Sequence, residues 1–97
     1  KTGFFDALNI DPLNIKARKA YALSLTKELD YAKAIEQFLE VLKSAPDDAD
    51  TMYNLALAYE IVDDKEKAVE YYKNALAVQP DHQEAKHNLE LLTTEVG

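Results

Sequence analysis

Three prolines, Pro12, Pro46 and Pro80, recur 34 residues apart, and this period constrains the fold more than any other feature of the chain. Self-similarity at a period of roughly 20–50 residues marks stacked supersecondary units rather than a single irregular core. The same register aligns Ala22 with Ala56, Leu23 with Leu57 and Leu91, Leu25 with Tyr59, and Ala34 with Ala68. It also aligns Phe4 with Phe38 and Tyr72, and Ala7 with Val41 and Ala75. Matches of size and polarity in that many columns imply a repeat.

Each period reads as two helices. The stretches "DTMYNLALAYEIV" (50–62) and "EKAVEYYKNALAV" (66–78) are rich in helix formers and contain neither glycine nor proline. The connections "KELD" (27–30) and "DDK" (63–65) are short and polar, which leaves room only for an antiparallel hairpin. Proline then follows each second helix, where it cannot continue the helix and biases its predecessor to extended geometry. Asp47 or Asp48 is expected to cap the next first helix, and Asp81 with Glu84 has the spacing of a capping box.

Over 49–62, Thr51, Met52, Leu55, Ala56, Ala58, Tyr59 and Val62 fall on one broad face at about 100° per residue. This face is the expected core. Alanine at 22, 34, 56 and 68 lets two backbones approach closely, while Phe38 and Tyr72 fill the wider gaps. One helix pair buries too little surface alone, so the units must stack.

The pattern resembles the tetratricopeptide repeat. Residues 47–80 carry its eight signature places as Met52, Leu55, Ala56, Tyr59, Ala68, Tyr72, Ala75 and Pro80. Residues 13–46 depart from it at Arg18, where a large apolar residue is usual, and at Leu29, where a turn glycine is usual, but keep Tyr21, Ala22, Leu25, Ala34, Phe38, Val41 and Pro46. The resemblance implies an all-α, right-handed superhelix (solenoid) of antiparallel helix pairs forming a single domain. The expected organisation is the end of a preceding repeat at 1–12, full repeats at 13–46 and 47–80, and a C-terminal capping helix within 81–97. In that last helix Glu90 replaces a packing alanine and Thr93 an aromatic, whereas Ala85, Leu89 and Leu92 keep an inner side. We expect the array to end there and to extend N-terminally.

Composition narrows the function. The chain's 97 residues suffice for one small domain, so a large active-site cleft is not expected. Its two glycines, Gly3 and Gly97, cannot form a phosphate-cradling loop. Residues 1–46 carry +1 and residues 47–97 carry −8 of the net charge of −7, which offers no basic face to nucleic acid. The absence of cysteine excludes disulfides and thiolate metal sites, and no apolar run approaches the roughly 18 residues of a membrane span. A cytoplasmic location is the default expectation.

The face opposite the core is the candidate site, because stacked hairpins curve and leave the first helices lining the concave side. In the middle first helix it comprises Asp50, Tyr53, Asn54, Leu57 and Ile61; before it come Lys16, Lys19, Ala20, Leu23 and Lys27, and after it Glu84, His87, Asn88 and Leu91. Leu23, Leu57 and Leu91 form a row that either holds a partner or is covered by neighbouring helices. Asn54 and Asn88 occupy equal places, and an amide that donates and accepts can hold an extended backbone, a use the family resemblance also implies; the alternative is that they are simply solvated. Tyr53 adds a rigid amphipathic anchor. One subset of the family clamps carboxylate-terminal peptides through five side chains, and the corresponding places here hold Lys19, Leu23, Asn54, Glu84 and Asn88. Two match, and Glu84 would repel a carboxylate. Lys16, Lys19 and Lys27 at one end and Asp50, Glu60 and Glu84 towards the other suggest a peptide with an acidic segment beside a basic one.

Catalysis has little support. His82 and His87 are five apart rather than four, and the Glu84-x-x-His87 step stands alone. Ser24 and Ser44 have no histidine expected nearby. The reading is therefore a non-enzymatic interaction scaffold that binds a protein or peptide without a cofactor, without nucleic acid and without inserting in a membrane. The alternatives are a self-assembling module, with Phe4 and Phe5 at an exposed N-terminal edge, and an accessory domain of a larger enzyme.

Overall fold

The computed structural model describes residues 12–96. It comprises five helices, α1 (Pro12–Lys27), α2 (Tyr31–Ser44), α3 (Ala49–Ile61), α4 (Lys65–Val78) and α5 (Gln83–Val96), with no strand among the described residues. Each helix packs against the next in chain order, and the assembly measures 53 × 28 × 18 Å. This is an all-α helical repeat solenoid. Of the segment 1–12 expected to end a preceding repeat, Phe4, Phe5 and the other residues of 1–11 lie outside the described residues, and Pro12 is the first residue of α1.

The two hairpin turns are built alike. At the end of α1, Asp30 N–H donates to Leu25 O (2.8 Å) and Leu29 N–H to Thr26 O (3.0 Å); at the end of α3, Asp64 donates to Tyr59 O (2.8 Å) and Asp63 to Glu60 O (3.1 Å). These are Schellman closures, which require a left-handed residue just before the one that makes the long bond. Leu29 (φ 66°) and Asp63 (φ 68°) take that conformation without being glycine. The next residue closes one helix and opens another: Asp30 accepts from Lys33 N–H (3.4 Å), and Asp64 from Lys67 N–H (3.3 Å). Reusing one aspartate in this way keeps each hairpin tight.

Between pairs, proline occupies the second place of a four-residue turn. Asp48 N–H donates to Ala45 O (3.2 Å) and His82 N–H to Gln79 O (3.0 Å), spanning Pro46 and Pro80. The ring sets φ near −65° and its missing donor is not required there.

The packing follows the small-large alternation. Ala22, Ala34, Ala56 and Ala68 are all at 0% exposure, and Phe38 and Tyr72 fill the space between them at the same value. Truncating either ring to alanine would cost roughly 3–5 kcal/mol. Ala85 and Leu92 bury the inner side of α5, while Glu90 and Thr93 face water. Val62 departs from the expected core face: it is 47% exposed because α3 ends at Ile61 and Val62 is the C-cap. Tyr59 is half-buried and stacks on Tyr71, with ring centroids 5.7 Å apart.

Candidate functional site

The seam between α1 and α3 is left as a groove. Stepping along α3 by three or four residues places Asp50, Asn54, Leu57 and Ile61 on one line, and Lys19, Leu23 and Lys27 form the matching line on α1. At the C-terminal end of α3 the groove deepens into an apolar cavity of about 230 Å³ lined by Leu23, Thr26, Lys27, Tyr31, Asn54, Leu57, Ala58 and Ile61. Towards α5 it continues as a wider polar cavity of about 520 Å³ that shares Leu23 and Asn54 with the first and adds Lys19, Asp50, Tyr53, Gln79, Asp81, His82, Gln83 and Glu84. The leucine row is not covered by neighbouring helices: Leu23 is 41% and Leu91 52% exposed, Leu57 is half-buried, and Ile61 is exposed.

Several groove residues prove to be internally engaged. Lys19 Nζ lies 2.8 Å from Asp48 Oδ2, so its charge is matched from within the molecule. Burial pushes the Asp48 carboxyl up, but hydrogen bonds from Lys19 and Thr51 outweigh it and hold the group below the ordinary value. That carboxylate accepts from Thr51 Oγ1 (2.9 Å) as well as from Lys19, and so ties the start of α3 to α1.

Tyr53 and Asn88 are likewise not free outward-facing side chains. The Tyr53 ring packs against Tyr72 (6.0 Å between centroids) and His82 (5.0 Å), and burial followed by the charge of Glu84 raises its hydroxyl pKa. Asn88 Nδ2 donates to the Tyr72 hydroxyl (3.2 Å), which donates in turn to Glu60 Oε1 (2.9 Å). Burial, reinforced by that bond to Glu60, pushes the Tyr72 hydroxyl far above its ordinary range. One period earlier Phe38 has no hydroxyl, so Asn54, the counterpart of Asn88, has no such bond. The Asn54 side chain has no hydrogen-bond partner among the described residues. The two asparagines share a register but not a role.

His82 carries a function that the sequence reading did not assign. Its Nδ1 accepts from Ala85 N–H (3.2 Å), and its Nε2 faces Asp50 Oδ1 (3.1 Å). A backbone N–H can only donate, so in the neutral ring the proton sits on Nε2 and points at Asp50. His82 thus caps α5 in place of the expected Asp81–Glu84 box and ties that cap to the groove wall. The 34-residue register held the signal, since His82 falls one period after the cap position Asp48.

Of the remaining candidates, Lys27 lines the apolar cavity, and Asp50 and Glu84 line the wider one while retaining 72% and 70% side-chain exposure. Lys16 is exposed on α1 and lines neither cavity. His87 belongs to a separate shallow depression with Gln83, Lys86 and Glu90. Among the described residues no three His, Asp or Glu side chains stand together as metal ligands, and no helix is long and apolar enough to cross a membrane.

A family model described as tetratricopeptide repeat matches residues 49–82. Among solved structures, YrrB, described as a TPR protein with an unusual peptide-binding site, superposes with a TM-score of 0.76 at 33% identity, over 78% of this chain and 39% of that one. The chain thus spans about two fifths of the YrrB structure. A mutant of MamA superposes with a TM-score of 0.78 at 19% identity, over 93% of this chain and 66% of that one, which speaks to fold alone. No curated protein sequence matches the chain significantly.

Proposed function

Because the chain belongs to the tetratricopeptide repeat family, whose fold supports protein–protein interaction, we propose that it binds a peptide segment of another protein along the α1–α3 groove, by equilibrium association and without chemistry of its own. The single observation that carries this reading is the Asn54 amide, unpartnered and set between an apolar and a polar cavity that share it. An amide so placed can donate to and accept from an extended backbone while side chains enter the cavities on either side. The peptide-binding description of YrrB supports the same class of ligand. In this proposal 13–46 and 47–80 are the two groove-forming repeats, and 81–97 supplies the cap and the far wall.

The test is a random-peptide display selection against the parent and against a variant with Leu23→Lys and Ile61→Lys. Both positions are exposed, so circular dichroism should show unchanged helicity. Enrichment of a shared motif by the parent, absent from the variant, is the expected result. Equal enrichment by both proteins would place binding outside the groove.

A further inference from the structure

The groove is unequal in charge as well as in polarity. Its apolar end holds Leu57 and Ile61 beside exposed Lys27. Its other end gathers Asp50, Asp81 and Glu84, all exposed. Lys19, expected from the sequence at the basic end with Lys16 and Lys27, lines this end instead, where Asp48 at 2.8 Å neutralises it. The proton on His82 Nε2 meets only Asp50, leaving Asp81 unmatched and Glu84 with only a 3.6 Å approach to the acceptor Nδ1 of that ring. This end is therefore net acidic, in a chain of net charge −7.

We infer that the peptide taken by this groove carries a large apolar side chain and a lysine or arginine three to five residues apart. The inference rests on the peptide-groove reading above and names the chemistry of its ligand. The spacing follows from α3. Leu57 and Ile61 stand seven and eleven residues after Asp50, which at about 1.5 Å per residue is roughly 10–16 Å along the axis. An extended chain advances about 3.3 Å per residue, so three to five residues bridge the apolar cavity and the acidic end. Asn54, between them, meets the intervening backbone. The apolar side chain supplies desolvated contact area, and the basic one supplies orientation and encounter rate.

The experiment uses a random twelve-residue display library against the whole chain, followed by fluorescence anisotropy on the enriched peptide. Titrations compare the parent with Asp81→Lys/Glu84→Lys and with Glu36→Lys/Glu66→Lys. The second variant makes the same change in net charge on exposed positions of α2 and α4, away from the groove, and Glu84→Gln serves as a milder substitute should the first lose helicity. The expected motif has a Leu, Ile, Met or aromatic residue and a Lys or Arg at the stated spacing in either order. Asp81→Lys/Glu84→Lys should weaken it about tenfold or more, and the distant pair at most about threefold. Replacing the peptide's basic residue with alanine should remove most of that difference. A motif with no basic residue, or one insensitive to the groove charges, overturns this inference and leaves the groove reading intact. No enrichment overturns both. Self-association that disappears in the Leu23→Lys/Ile61→Lys variant makes a second copy of the chain the occupant and overturns the inference as well.

Discussion

The Tyr72 hydroxyl, on a ring with no exposure to solvent, donates to Glu60 across 2.9 Å. The same oxygen accepts from Asn88, so one phenol joins α3, α4 and α5. The ring itself is not what makes this junction special, since Phe38 fills the equivalent gap one period earlier at the same burial.

Tyr72→Phe should therefore keep the packing and lose only the hydrogen bonds, costing about 1 kcal/mol at neutral pH in urea unfolding. The pH dependence runs in a definite direction. The folded state raises the hydroxyl pKa above its ordinary 10.0, so the contribution is complete below about pH 10 and is lost as pH rises beyond it. Above that point the parent should lose stability more steeply than Tyr72→Phe, by up to about 1.4 kcal/mol per pH unit, while Tyr53 and Tyr59, also raised, continue to titrate in both proteins. Parallel stability curves from pH 9 to 11 would show that the hydroxyl is not held in its neutral form.

A second prediction concerns the pair that joins α1 to the start of α3. Lys19→Met should cost about 0.5–1 kcal/mol at pH 7, a small figure because both groups retain contact with water. The Asp48 carboxyl is held below its ordinary 3.8, so the stabilisation exists above that pH and vanishes as the carboxylate protonates below it. The difference between parent and Lys19→Met should thus shrink towards zero as the pH falls below 3.8 and the folded-state carboxylate protonates, measured as urea midpoints in a pH series. A difference that persists in acid would assign the effect to lost packing of the lysine stem.

The repeat made the architecture readable in advance, because a period of 34 residues with alanine and aromatic residues in register can be satisfied only by stacked helix pairs. The face of the groove was readable for the same reason. Its internal wiring was not, because a period treats equivalent positions as equal. Phe38 and Tyr72 differ by one oxygen, which engages Asn88 at Tyr72 and whose lack at Phe38 leaves Asn54 without the equivalent bond. Lys19 and Asp48 are 29 residues apart in sequence, too distant for helix spacing to pair them. Residue type did not mark His82 as a cap, because capping rules favour Asp, Asn, Ser and Thr, although its register matched Asp48.

The hairpin turns provide a third prediction. Leu29 adopts φ 66° while 72% exposed, so its side chain contributes little burial and crowds the backbone in a left-handed conformation. Leu29→Gly should stabilise the chain by about 0.5–1 kcal/mol, the relief of that crowding exceeding the extra entropy of glycine in the unfolded chain. Asp63→Gly should gain less, because aspartate tolerates this region better than leucine. Thermal melts of the two variants give the order directly, and a gain from Asp63→Gly larger than that from Leu29→Gly would contradict the argument.

The two asparagines allow structure and binding to be separated. Asn54 makes no side-chain hydrogen bond among the described residues, so Asn54→Ala should leave stability within about 0.5 kcal/mol of the parent. If its amide holds the peptide backbone between the two cavities, the same substitution should weaken the selected peptide by about tenfold, equivalent to about 1.4 kcal/mol. Asn88→Ala should do the reverse in the unfolding assay. It removes the donor to the Tyr72 oxygen and should cost about 1 kcal/mol of stability. Urea unfolding and peptide titration on both variants complete the comparison. A loss of stability in Asn54→Ala equal to that in Asn88→Ala would mean that both amides serve the fold, and the backbone clamp would then have to be sought elsewhere along the groove.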